Sequence, residues 1–353
     1  MPSRPDVVVI GAGLTGVSTA LHLARRGIRV VVCEAGLVAD GASGRTGGLV
    51  LEGTAVGPLE DVESCVGGLE RIVAEERIDC DLALPGCWEI EHHASASEKM
   101  LPWTDAGLPV CIAARVRGGV VQPAALTIGL AKAALRAGAI IRDQAKVTRI
   151  VFEPELSVDL QRDRITPGHV VIATNAWINS TVPDAPRLSS SLTFACATVP
   201  LDASRLAAIG LSGGIPFYTT DLPYLWGRTI PDGRVIFGAG LVFGSPPDLE
   251  TSDSTQGRSL TVLEHLQRRV RTLHPLLAGV RFSAAWAGPI AFGEDAVPLL
   301  GPHPRNPRVL VSGGYAGHGV ALSVRAGELL ALAIAENRPL PKWGSLTRRA
   351  LRA

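Results

Sequence analysis

Apolar and polar residues fall along this chain in short blocks with distinct periods. Asp6 to Ile10 is a nearly continuous apolar run, the pattern of a strand buried on both faces of a parallel sheet. The turn Gly11-Ala12-Gly13-Leu14-Thr15-Gly16 follows, then a helical stretch from Val17 to Arg26 that stops at Gly27. A second apolar run, Ile28 to Cys33, ends at the acid Glu34. Further on, the pattern predicts helices over about Leu59 to Glu76 and Pro123 to Ala137, and short strands near Ala139, Val147, Leu156 and Val170. The strand Val170-Val171-Ile172 breaks into Ala173-Thr174-Asn175-Ala176-Trp177. A last strand, Val309 to Ser312, enters Gly313-Gly314-Tyr315-Ala316-Gly317-His318-Gly319-Val320, which opens a helix running to about Glu336.

The middle of the chain is richer in strands. Trp88-Glu89-Ile90-Glu91 alternates with period two. Tyr224-Leu225-Trp226, the turn Pro231-Asp232-Gly233 and Val235-Ile236-Phe237 read as a hairpin. Thr255 to Leu273 reads as a helix, with Leu260, Leu263, Leu266 and Val270 on its apolar face.

Composition narrows the options. At 353 residues and 46% hydrophobic content, the chain is long enough for two domains with a sizeable core. A net charge of +1 leaves no footprint for nucleic acid or an anionic membrane. No apolar stretch approaches the roughly 20 residues that span a bilayer, and the N-terminus lacks a signal-peptide pattern, so a cytoplasmic protein is expected. The mean hydropathy of +0.25 is spread over many Ala, Val and Leu residues. Six scattered cysteines form no C-x-x-C pair and read as core residues. His92 and His93, adjacent on a strand, point to opposite faces, so no metal site is expected. Glu294-Asp295 reads as a turn, and Arg348, Arg349 and Arg352 read as a solvated tail. No nucleophile-elbow motif is present.

The first fifty residues carry the chemistry. Gly11 permits a tight turn, Gly13 lets backbone approach a pyrophosphate, and Gly16 lets helix and strand pack closely. The helix N-terminus supplies N–H groups and a positive dipole. Glu34 accepts from an adenosine ribose, which argues against a 2′-phosphate. This turn alone does not separate NAD from FAD. A second glycine-rich loop, Gly41-Ala42-Ser43-Gly44-Arg45-Thr46-Gly47-Gly48, offers an anion-binding nest, with Arg45 adding charge.

Taken together in this order, the first turn with Glu34, the GASGRTGG loop, the ATNAW segment and the GGYAGHG turn resemble the D-amino-acid-oxidase-like flavoproteins, which include glycine, sarcosine and gamma-glutamylputrescine oxidases. Gly118-Gly119-Val120-Val121-Gln122-Pro123 before a long helix fits the same pattern. The resemblance implies an α/β and α+β fold: a Rossmann-like FAD-binding domain over residues 1–85, 118–180 and 285–353, and a β-sheet-rich substrate domain over 86–117 and 181–284. It implies FAD held along Gly11, Gly13, Leu14, Thr15, Gly16, Glu34, Ala35, Ser43, Gly44, Arg45, Thr46, Gly47 and Gly48. Val147, Thr174, Asn175 and Trp177 would continue the site, and Gly314, Tyr315, Gly317, His318, Gly319 and Val320 would close it.

The implied reaction is oxidation of the C–N bond of a small amine or amino acid, with hydride passing to flavin N5 and the imine hydrolysing in water. The helix opening at Gly317-His318-Gly319-Val320 would face the flavin, and His318 would add a hydrogen-bond donor or charge. Tyr224, Trp226 and Arg228 at alternate positions share a strand face, where Arg228 would grip a carboxylate or form a structural ion pair. Tyr218 and Trp286 are further candidates for a cage around a cationic amine. Glycine and D-amino-acid oxidases tend to carry a carboxylate-binding arginine just after the position of Trp286, and none stands here. Ser283 to His303 contains no cysteine, so FAD is expected to be non-covalent. Gly238 to Phe243 contains no lysine of the kind that activates oxygen in sarcosine oxidases, which leaves oxygen or another acceptor open. Alternatives on the same scaffold are an FAD-dependent 2-hydroxy-acid dehydrogenase and a non-catalytic FAD-binding subunit of a larger complex.

Overall fold

The computed structural model describes residues 4–59, 64–92, 99–182, 184–220, 223–244 and 257–348. The chain first forms β1 (Val7–Ile10), α1 (Leu14–Ala24), β2 (Val30–Cys33), the single turn α2 (Ala42–Arg45), β3 (Leu49–Leu51) and α3 (Cys65–Glu76). Next come β4 (Cys87–Glu91), β5 (Lys99–Asp105), β6 (Leu108–Val116), β7 (Gly118–Val120), α4 (Pro123–Arg136) and β8 (Ile140–Arg142). Three short strands, β9 (Val147–Val151), β10 (Ser157–Leu160) and β11 (Arg164–Ile165), lead to β12 (His169–Ile172) and α5 (Ile178–Thr181). After β13 (Ser189–Thr198) and α6 (Ala203–Ala208) come β14 (Phe217–Thr219), β15 (Trp226–Thr229) and β16 (Val235–Phe243). The chain ends with α7 (Gly257–Leu273), β17 (Phe282–Phe292), β18 (Leu299–His303), β19 (Asn306–Gly313) and α8 (Gly319–Glu336).

Two sheets dominate. One has six strands in the order β18-β19-β12-β1-β2-β8, parallel from β19 to β8 with β18 antiparallel at the edge. Both its faces are covered, which is why β1 is apolar throughout. Val7 and Val9 pack toward α1, α4 and α8, while Val8 and Ile10 pack toward the small antiparallel sheet β11-β10-β9. The other large sheet has eight strands, β17-β13-β16-β15-β14-β4-β6-β5. Phe194, Cys196 and Phe237 on one face bury the apolar side of α7 through Leu263, Leu266, Val270 and Leu273. The opposite face carries Ala195, Ala197, Ile236, Trp226 and Trp286.

Several expectations are corrected. Leu59 is not helical; α3 starts at Cys65, where Ser64 Oγ accepts from the Gly67 N–H at 3.0 Å. The GASGRTGG stretch contains one helical turn rather than a pure loop. Thr255 lies outside the described residues, and Leu260 on α7 is exposed. Phe282–Phe292 is an edge strand of the eight-stranded sheet, paired along the length of β13, so the return to the six-stranded sheet comes at β18 rather than near residue 285. Tyr224 precedes β15 instead of lying on it, although the hairpin of β15 and β16 does form around Gly233. Arg348 is not part of a solvated tail: its Nε donates to Asp295 Oδ2 at 2.9 Å and a terminal nitrogen donates to the Val297 carbonyl, pinning the Glu294-Asp295 turn. Arg349 and Arg352 lie outside the described residues, as does His93. His92 pairs with buried Asp105 at 2.9 Å. Among the described residues no helix is long and apolar enough to cross a membrane.

Candidate active site

A cavity of about 1000 Å³ lies between the carboxyl ends of β1, β2, β12 and β19 and the open face of the eight-stranded sheet. That volume is at the upper end of ligand cavities, about 300–1,000 Å³. The first glycine turn forms its floor. Gly11 has φ +101°, and a Cβ there would stand 2.9 Å from the Ala173 carbonyl oxygen. A Cβ on Gly16 would stand 1.9 Å from the Gly11 oxygen, so α1 approaches the turn as closely as backbone allows. Glu34 is fixed by two backbone donors, Ala12 N–H at 2.7 Å and Gly36 N–H at 2.9 Å, and carboxylate oxygens keep lone pairs for a ligand. Ser43 Oγ accepts from the Leu14 N–H at 2.9 Å and ties the second loop to the first.

The C-terminal turn closes onto the same floor. Tyr315 is buried, and its hydroxyl lies 2.7 Å from Thr15 Oγ1 and 2.8 Å from Ser312 Oγ; burial pushes its pKa up to about 12. Asn175 Oδ1 accepts from the Gly314 N–H at 2.9 Å, stapling the ATNAW segment to this turn. His318 immediately precedes the first turn of α8. Its Nδ1 lies 3.4 Å from the Ala316 carbonyl, which only accepts, so Nδ1 carries the proton. Burial holds His318 below its ordinary pKa, so the imidazole is neutral near pH 7 and supplies no positive charge.

The sheet forms the opposite wall with Thr193, Ala195, Tyr218, Tyr224, Trp226, Leu241, Trp286 and Gly288. The Trp226 ring is packed closely between Gly47 and Gly238, where added Cβ atoms would fall 2.2 and 1.9 Å from it. Trp286 Nε1 donates to the Arg45 carbonyl at 2.8 Å, joining β17 to α2. Arg228 shares the strand face of Trp226, as alternation requires, but does not reach the cavity. Its guanidinium lies behind Gly48 and donates to the Val121 carbonyl at 2.8 Å, and burial lowers its pKa to about 10. The role as carboxylate grip is therefore not supported by its placement, because main chain stands between it and the cavity.

Most of the expected cofactor residues meet at this cavity: Gly11, Gly13, Leu14, Thr15, Glu34, Ala35, Ser43, Arg45, Thr46, Gly47, Val147, Thr174, Asn175, Trp177, Tyr315, Gly317, His318, Gly319 and Val320 line it. Gly16, Gly44, Gly48 and Gly314 stand behind it and serve close packing: Cβ atoms at Gly44 and Gly48 would each be 2.2 Å from a carbonyl oxygen. Lys146, Arg149, Thr193, Leu241 and Ile290 also line the cavity and belong to none of the motifs. Only Thr193 left a signal, a hydroxyl between Leu192 and Phe194 on the cavity-facing period of β13.

A family model described as FAD dependent oxidoreductase (DAO) matches residues 6–333. The chain belongs to this family. Gamma-glutamylputrescine oxidoreductase of Escherichia coli (strain K12) is similar at 28% identity over 369 residues, 92% of this chain and 82% of the relative. Glycine oxidase of Bacillus licheniformis is 25% identical over 374 residues, 97% of this chain and 96% of its own. The crystal structure of glycine oxidase from Geobacillus kaustophilus shares the fold with a TM-score of 0.76 at 21% identity, covering 98% of this chain and 99% of that one. The protein is thus an FAD-dependent oxidoreductase of the amine and amino-acid oxidase type. Its cavity fits the cofactor on its own terms. A Cβ at Gly13 would intrude to 2.8 Å from Ser43 Oγ, where backbone must stay bare, and Trp177, one of the lining residues, has a buried Nε1 without a hydrogen-bond partner.

Proposed function

We propose that this FAD-dependent oxidoreductase oxidises the C–N bond of a small amine or amino acid, with residues 1–85, 118–180 and about 293–353 holding the cofactor. The observation that supports this reading is one continuous cavity that joins the Gly11–Gly16 turn and Glu34 to an aromatic wall on the eight-stranded sheet. Bound FAD would supply the two-electron acceptor, taking up as a hydride the hydrogen that leaves the substrate α-carbon. Glu34 would hold the adenosine ribose, while Thr15 in the first turn of α1 would face the pyrophosphate with its backbone N–H, the Leu14 N–H being taken by Ser43. The first turn of α8, lining the cavity at Gly319 and Val320, would direct its positive dipole end at negative charge that develops on reduction. Neutral His318, with Nδ1 bonded to Ala316, leaves Nε2 as an acceptor for a substrate N–H. Trp226, Trp286 and Leu241 would exclude water from the reacting carbon. Non-covalent attachment is supported by the thiols: Cys33 lines the cavity, but burial pushes its pKa up to about 11, away from thiolate character.

The test is an anaerobic titration of the yellow holoprotein with amines, amino acids and 2-hydroxy acids. Bleaching by an amine or amino acid, with a rate that falls below the substrate ammonium pKa, is the expected outcome, because the neutral amine reacts. Bleaching by 2-hydroxy acids alone would replace C–N with C–O oxidation. Readmitting air then separates an oxidase from a dehydrogenase. Acid precipitation should release FAD into the supernatant, and flavin retained on the chain would overturn the non-covalent reading.

A further inference from the structure

Resting on that proposed function, we infer from the hydrogen-bond donors of the sheet wall that the substrate is a cationic amine without an α-carboxylate. A carboxylate needs donors, and an ammonium needs acceptors and π faces. On this wall the protons are already committed. Tyr218 Oη donates to Glu89 Oε1 across the β14–β4 pair. Tyr224 Oη donates to the Gly240 carbonyl at 3.3 Å and lies 3.0 Å from Thr193 Oγ1, which therefore donates to it. Trp286 Nε1 donates to the Arg45 carbonyl at 2.8 Å. Arg228, the guanidinium on the same sheet face, donates to the Val121 carbonyl behind the cavity.

What these side chains leave for a ligand is phenolic oxygen lone pairs and ring faces. The Glu89 carboxylate behind Tyr218 makes that phenol oxygen more electron-rich, because the hydrogen bond it receives is charge-assisted. Burial together with Glu89 holds Tyr218 well above its usual pKa, so the phenol stays protonated toward Glu89. Thr219, next to Tyr218, already accepts from the Leu225 N–H at 2.7 Å, and a single hydroxyl proton does not offset the desolvation of a carboxylate. A rival donor is Arg45 on α2, whose side chain starts beside Gly288 of β17. It lies in the loop that also faces the first glycine turn through Ser43, where a cofactor phosphate would compete for its charge.

The test compares compounds that differ only by the α-carboxylate: putrescine against ornithine, and tyramine against tyrosine. Anaerobic flavin reduction by the holoenzyme should be at least about tenfold faster for the amine of each pair. Two variants separate donor accounting from simple damage. Glu89→Leu releases the Tyr218 proton into the cavity and should lower the amine-to-amino-acid rate ratio, a change that general loosening of the wall would not produce. Tyr218→Phe should raise the half-saturating amine concentration about fivefold with unchanged FAD absorbance per chain. Faster reduction by the amino acids, lost in Arg45→Met, would overturn the inference and assign carboxylate recognition to Arg45, leaving C–N oxidation intact. An unchanged ratio in Glu89→Leu would also overturn it. Reduction by neither member of any pair, and by no other amine or amino acid of the wider titration, would remove the C–N reading and this inference together.

Discussion

The two halves of the cavity are built in opposite ways. On the six-stranded sheet, the floor comes from short consecutive segments: one turn spans Gly11 to Gly16, another spans Gly314 to Val320, and each is set by strands that run directly into it. On the eight-stranded sheet, the wall is assembled from single residues on separate strands. Trp286, Ala195, Gly238, Trp226 and Tyr218 are neighbours across β17, β13, β16, β15 and β14, though scattered over many positions of the chain. Backbone recognition demands glycine and a fixed turn, so it leaves a contiguous mark. Side-chain recognition demands only the right face of a sheet, and many sequences meet that requirement. The first half therefore suits a group common to a family, and the second is free to vary.

Substitutions in each half should separate cofactor content from substrate affinity. The largest effect is expected for Asp105→Ala. Asp105 is buried and accepts from Arg269 Nε at 2.9 Å and from His92, and Arg269 in turn donates to the carbonyls of Pro223 and Tyr224. Removing the carboxylate takes the ionic partner from the partly buried Arg269, which keeps its two carbonyls, at a cost of about 3 kcal/mol. Thermal unfolding should show a large loss, while folded enzyme at low temperature keeps its FAD and needs more amine for half-saturation because Tyr224 is no longer held. Loss of FAD without change in substrate affinity would break the comparison.

Gly16→Ala should do the reverse. Its Cβ would collide with the Gly11 oxygen, an overpacking cost of up to about 3 kcal/mol. The protein should purify largely without yellow colour, and FAD titration should show affinity weaker by about a hundredfold. A yellow variant with normal FAD affinity would show that close packing of α1 is not what shapes the floor.

A smaller effect is expected from pH. His22 on α1 is buried at the contact with α8, and desolvation lowers its pKa to about 4 despite attraction by Glu328 and Glu75, with Arg25 and Arg26 reinforcing the shift. Its folded pKa lies below the unfolded value near 6.5. The unfolded chain therefore binds the extra proton first. Stability from the neutral His22 is complete above pH 6.5 and is lost as pH falls toward 4. The melting temperature of the native protein should drop over that window more steeply than that of His22→Leu, measured side by side. Parallel curves would remove His22 as the source.

Much of the dinucleotide half was legible. The apolar run of β1, the glycine spacing and Glu34 each follow from a local requirement, and α8 ends at the expected Glu336. Legibility ended where a partner from elsewhere decides the outcome. Arg228 was placed on the correct face, but whether that face opened on a cavity or on the Val121 carbonyl depended on how the Gly48 loop packs over it. Arg348 resembled a tail until Asp295, distant in sequence, accepted its guanidinium. Phe282–Phe292 has no local feature that names its sheet; long pairing with β13 does.

Sequence alone determined the first glycine turn, the acid that follows it and the family to which the chain belongs, because a tight turn packed closely against a helix admits few residues at fixed spacing. Tertiary structure decided the character of the substrate wall. Whether a tyrosine or arginine donates into a cavity or spends its proton elsewhere is set by hydrogen-bond partners contributed by other strands, and neither spacing nor composition records them.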